Sequence, residues 1–128
     1  MQQFSSLDTP CLLASWVAVG VFDGVHRGHQ ALLTHLAAGA HAAGLPAAVV
    51  TFHPHPAVAL GKVQPPFYLT SPQQRAEQLS SLGIDALVTL PFNASLAQVE
   101  AEAFMRQLIR ALGLRRLLVG EGFALGRG

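Results

Sequence analysis

The sequence predicts an α/β fold: a parallel β-sheet with helices on both faces. Three observations carry this. Short, continuous apolar runs recur along the 128 residues, the pattern of strands covered on both sides. Segments of helical periodicity alternate with them, and alternation at this spacing implies right-handed crossovers between parallel strands. Glycine or proline marks most of the junctions.

Taken in order, Met1 to Pro10 is polar and uneven and is predicted to be a lead-in. Cys11 to Val21 is apolar and is read as a buried strand, with Trp16-Val17-Ala18-Val19-Gly20-Val21 its continuous apolar run. A helix follows, with Leu32, Leu33, Leu36, Ala40 and Ala43 on one face and Gly44 and Pro46 stopping it. Ala47 to Phe52 predicts a second strand. His53-Pro54-His55-Pro56 cannot be regular helix or central strand, because its prolines lack the donor both need. Irregular, proline-rich sequence continues to Tyr68. Ser71-Pro72-Gln73-Gln74 is a helix start, with Ser as N-cap and Pro at the first helical position. That helix ends at Gly83, and Ile84 to Leu90 contains the third strand. A last helix, about Val99 to Leu112, stacks Phe104, Leu108 and Leu112 and closes at Gly113; Leu114 to Gly120 is the last strand.

Composition narrows the function. Half the residues are hydrophobic (51%) and 12% are charged, the balance of one compact domain. A net charge of +1 offers no basic face for nucleic acid. The lone Cys11 rules out an internal disulfide and a cysteine zinc site, which fits a reduced, cytoplasmic setting. No Lys or Arg precedes Arg27, so the apolar stretch before it lacks the basic start of a signal peptide. It is also too short to span a membrane, so no membrane partner is expected.

In open parallel sheets, ligands bind beyond the carboxyl ends of the strands. Three predicted strands end in unusual sequence there: Gly20-Val21-Phe22-Asp23-Gly24, His53-Pro54-His55-Pro56 and Gly120-Glu121-Gly122-Phe123. The first runs on through Val25-His26-Arg27-Gly28-His29 into a helix. Glycines there let the backbone approach a ligand, and the helix's free N–H groups favour an anion. His26 and His29, three apart, would share one side and could donate to phosphate oxygens as charge shifts during displacement. Other readings stay open on the residues alone. The histidines could sit on a plain surface, or hold zinc together with His53 and His55, although no further ligand follows the pair at suitable spacing. The prolines could be purely structural, and Asp23 could simply cap the helix.

Gly20 to Gln30 resembles the first motif of bacterial FAD synthetases, including the His-x-Gly-His signature of the nucleotidylyl transferase superfamily at His26-Arg27-Gly28-His29. Thr51-Phe52-His53-Pro54-His55-Pro56 is similar to their second motif. Leu90-Pro91-Phe92-Asn93 through Phe104 is similar to their linker and helix, and Val119 to Gly126 to their fourth block. The resemblance implies a Rossmann-like sheet of nucleotidylyl transferase type. It implies an FMN adenylyltransferase that transfers AMP from Mg-ATP to FMN, giving FAD and pyrophosphate. His26 and His29 would be catalytic. Gly20, Phe22, Asp23, Gly24, His26, Gly28 and His29 would bind ATP phosphates, and Phe52, Pro54, His55, Pro56 and Phe123 the flavin. Mg²⁺ would arrive with ATP, and no metal site made of protein ligands is implied.

The chain also departs from that pattern. Gly122 stands where Asp or Asn is usual, Leu60 where an aromatic is common, and His53 where an acidic residue is common. Residues 1–128 are expected to be a C-terminally truncated domain, since neither an Ile-Ser-Ser-Thr-x-x-Arg segment nor a riboflavin kinase domain lies within them. Two alternatives follow: a non-catalytic flavin- or nucleotide-binding remnant, or another adenylyl- or cytidylyltransferase of the superfamily. The Pro-His-Pro sequence argues against the latter.

Overall fold

The computed structural model describes residues 1–8, 11–20, 22, 27–52, 72–91 and 101–119; the side chains of Arg27 and Pro72 lie outside that description. Five strands form one sheet: β1 (Gln2–Phe4), β2 (Ser15–Val19), β3 (Ala47–Phe52), β4 (Ala86–Leu90) and β5 (Leu114–Val119). Among the described residues three helices connect them: α1 (Arg27–Ala42), α2 (Pro72–Ser81) and α3 (Ala101–Leu112). The sheet order is β1-β4-β3-β2-β5 and every pairing is parallel. The predicted α/β fold is therefore what forms.

Strand alternation explains why both faces need cover. Val17, Val19, Ala48, Val50, Phe52, Ala86, Val88 and Leu90 point one way and pack with Phe104, Leu108, Ala111 and Leu112 of α3. Ala18, Ala47, Val49 and Leu87 point the other way and meet Leu33, Leu36, Ala37 and Ala40 of α1 and Ala76 and Leu79 of α2. Both layers are apolar, so the strands read as unbroken hydrophobic runs.

The helices stop where their glycines predict. Leu45 N–H bonds the Ala40 carbonyl at 2.9 Å and Ile84 N–H the Leu79 carbonyl at 3.3 Å, the six-to-one bonds of Schellman caps. Gly113 ends α3 at φ 57, its N–H reaching the Ile109 carbonyl. A Cβ there would run into the Leu13 carbonyl, so the position requires glycine twice over.

Two expectations are corrected. The lead-in contains a strand: Gln2 to Phe4 pairs with Ala86 to Val88 along the sheet edge, and Leu7 is buried with the α3 layer. Three residues with one apolar side chain carry no period, so the pairing partner, not the local sequence, makes this strand. The apolar stretch from Cys11 is also not strand throughout. Cys11 and Leu12 donate to the Ala111 carbonyl at the end of α3, Leu13 is fully exposed, and strand begins at Ser15.

Candidate phosphate-binding site

From β2 the chain steps outward to β3 and β4, then returns past both to place β5 on the other side of β2. The order of winding reverses between β2 and β5, where a parallel sheet opens a crevice at its carboxyl edge. Val19 is level with Val50 on one side and Val119 on the other. Gly20 N–H then bonds the Val50 carbonyl at 3.1 Å. The carboxyl ends of β2, β3 and β5, picked out for the sequence that follows them, thus lie side by side.

Beyond Gly20 the backbone takes an unusual conformation at Phe22. Phe22 adopts φ 54, the left-handed region that bulky residues avoid. Its ring is nonetheless buried, 1% exposed, in the α1 layer. A side chain at Gly20 would bring its Cβ to 2.7 Å from Cζ of that ring. The next described element is α1, whose first turn holds no acidic residue to compete for its free N–H groups. Gly28 is exposed there, and His29 is half-buried against Phe22, ring centroids 5.0 Å apart and planes at 84°. These parts can seat an anion over a helix N-terminus with an imidazole alongside.

Of the predicted site residues, Gly20, Phe22, Gly28 and His29 are brought together here. Phe52 ends β3 beside them, 3% exposed within the α3 layer. Asp23, Gly24, His26, Pro54, His55, Pro56 and Phe123 lie outside the described residues, as do His53, Leu60 and Gly122. The described residues of this edge contribute no carboxylate, and among the described residues no three His, Cys, Asp or Glu side chains converge on a metal position.

Two polar residues beside this edge escape a reading of the sequence. Thr51 is fully buried one residue before β3 ends, and Arg75, in the first turn of α2, is 4% exposed. A buried guanidinium is uncommon, yet Gln73-Gln74-Arg75-Ala76-Glu77 looks like any solvated helix start. A cavity of about 530 Å³, lined by Gln3, Gln73, Glu77, Ser80 and Thr89 among others, lies against β1, β4 and α2 rather than at the β2–β5 crevice.

Comparison with known proteins identifies the family. The family model described as FAD synthetase matches residues 9–128. The chain belongs to the FAD synthetase family. It is 34% identical over 112 residues to the bifunctional riboflavin kinase/FMN adenylyltransferase of Listeria monocytogenes, covering 87% of this chain and 36% of that protein. The Bacillus subtilis enzyme of the same name is 36% identical, with 88% and 36% covered, and the Pseudomonas fluorescens one 38% identical, with 84% and 35% covered. The chain thus spans about a third of the length of these relatives. A solved structure described as a macrolide-efflux protein from Streptococcus pneumoniae superposes with a TM-score of 0.84 at 29% identity, covering 98% of this chain and 43% of that one. No helix among the described residues is long and apolar enough to cross a membrane.

Proposed function

We propose that residues 1–128 are part of an FMN adenylyltransferase domain, acting in the cytoplasm on FMN and Mg-ATP. A phosphate oxygen of FMN attacks the α-phosphorus of ATP, the bond to the β,γ-pyrophosphate breaks, and FAD and pyrophosphate leave. What supports this reading is that α1, with His29 in its first turn, is the helix that follows β2, the strand where the winding reverses, in a chain of the FAD synthetase family.

Negative charge moves onto the departing pyrophosphate as the displacement proceeds. Backbone N–H groups at the start of α1 and the imidazoles of His26 and His29 would donate to those oxygens, so charge is met by donors already in place. Gly20, Phe22, Asp23, Gly24 and Gly28 would shape the cradle. Phe52, from its buried position at the strand end, with Pro54, His55, Pro56 and Phe123, would wall the flavin. Mg²⁺ would screen the triphosphate charge; the described residues include no ligand set for it, and no step here depends on one.

Incubation with FMN, ATP and Mg²⁺, followed by chromatographic separation of flavins, tests the proposal. FAD with equimolar pyrophosphate is expected. Saturable quenching of FMN fluorescence without FAD would replace it with the binding-remnant reading, and neither signal would overturn flavin recognition altogether.

A further inference from the structure

The imidazole of His29 sits on a torsion that a helix does not fix by itself, because the second side-chain angle of histidine is broad. Its plane must be set by what it packs against. Among the described rings the contact is Phe22, edge to face at 84° with centroids 5.0 Å apart. Phe22 is in turn held by two features that make little sense separately. Its backbone is left-handed, a conformation unfavourable for a non-glycine residue. Burying a phenylalanine side chain is favourable on a comparable scale, so the ring's burial can sustain the strained backbone. The ring fits only because Gly20 has no side chain where its far end lies.

We propose that Phe22 is a positioning residue: its buried ring, seated over Gly20 by the left-handed turn, fixes the plane of the His29 imidazole at the mouth of the β2–β5 crevice. The catalytic consequence rests on the adenylyltransferase reading; the geometric one does not. Three residues at 20, 22 and 29 act as one unit, Gly20 admitting the ring and the ring orienting the imidazole. A backbone-only role for this loop would leave the identity of side chain 22 immaterial to His29.

The test separates the two claims. In the ligand-free chain, Phe22→Leu keeps apolar bulk but removes the ring, and the carbon-bound imidazole proton resonances of His29 should shift and broaden by NMR. Gly20→Ala should also move them, by displacing the ring's far end. In the FMN and ATP assay, Phe22→Leu should lower kcat on the order of tenfold to a hundredfold, the scale of a misplaced reacting group, with KM changed by less than about threefold. The double variant Gly20→Ala/Phe22→Leu removes the clash and should recover thermal stability relative to Gly20→Ala while kcat stays low. Unchanged His29 resonances in Phe22→Leu, or a kcat that recovers together with stability in the double variant, would overturn the proposal. Shifted resonances in a chain that makes no FAD would leave the positioning intact and remove the adenylyltransferase reading instead.

Discussion

Nε2 of His41, near the end of α1, lies 2.7 Å from Oδ2 of Asp85, which immediately precedes β4. The same oxygen accepts the Ala47 N–H at 2.8 Å, while the Asp85 backbone bonds Ala47 on one side and Gln2 on the other. One aspartate therefore joins α1, β3, β4 and β1 at the amino edge of the sheet, opposite the candidate site.

Burial pushes the Asp85 carboxyl up, but the Ala47 N–H and the His41 imidazole together hold it below its ordinary value. A carboxylate depressed in this way adds stability that is complete above its unfolded pKa, about 3.9, and is lost as pH falls through the folded value. Urea unfolding between about pH 5 and pH 2 should show stability declining on acidification. Asp85→Asn keeps a carbonyl acceptor for Ala47 and should flatten that decline. The side chains of the pair are 48% and 44% exposed, so solvent screens it to a few tenths of a kcal/mol. Asp85→Ala, which also strands the Ala47 N–H, should cost about 1–2 kcal/mol. Identical acid limbs in wild type and Asp85→Asn would refute the assignment.

Ser15 makes a longer-range link. Its hydroxyl donates to the Leu112 carbonyl at 2.6 Å across 97 residues, and its N–H bonds the Gly113 carbonyl at 3.1 Å. The start of β2 thus satisfies carbonyls at the end of α3 that the helix cannot. Ser15 is fully buried, so no water can take over the bond. Ser15→Ala should lower unfolding free energy by about 1–2 kcal/mol, measured by chemical denaturation. A loss within experimental error would mean the hydroxyl finds no net benefit there.

Gly113 sits beside that link and is the more sensitive position. Alanine would have to hold φ 57 and also displace the Leu13 backbone, which cannot swing aside as a side-chain tip could. Gly113→Ala is expected to destabilise by about 2–4 kcal/mol, well beyond the ordinary gain from alanine's lower chain entropy. By contrast, the atoms nearest a Cβ at Gly39 in α1 all belong to the ring of half-buried Trp16, a side chain that can rotate where a backbone cannot. Trp16 is the one tryptophan in the chain, with Arg116 stacked over it at 5.0 Å, so its emission should shift in Gly39→Ala while stability changes less than in Gly113→Ala. The reverse order of stabilities would contradict the packing.

These contrasts show what a sequence can carry. The helix ends at Gly44, Gly83 and Gly113 are legible because cap chemistry is local: one residue with the right backbone freedom and one or two bonds around it. Strands β2, β3 and β4 are legible because both faces are covered, so all their positions but Ser15, Thr51 and Thr89 are apolar. β1 is not, since its bonds come from β4 and its residues have no period of their own. At the site, Gly20 is legible as a turn and His29 as a helix-start histidine. That both are fitted to the ring of Phe22 is a tertiary fact, spread over ten positions with no periodic signal. Arg75 is invisible for the opposite reason: its burial comes from neighbours outside its own helix, and its sequence context is that of a solvated face.

The sharpest test of the site is His29 itself. Its role as a donor to the transferring phosphate predicts a large kinetic effect with a small structural one. His29 is half-buried and its described ring contact is with Phe22, so His29→Ala should cost about 1 kcal/mol of stability, the worth of an aromatic pair. Loss of one preorganised donor to developing charge typically slows chemistry by about 10²–10³-fold, and FAD formation should fall by at least that much. His29→Asn retains a donor of similar reach and should recover part of the rate. Leu13→Ser, fully exposed near the opposite edge, should leave both rate and stability unchanged. If His29→Ala turns over FMN at the wild-type rate, the phosphate cannot lie against α1, and the donor must be sought among the other residues of the β2–β5 crevice.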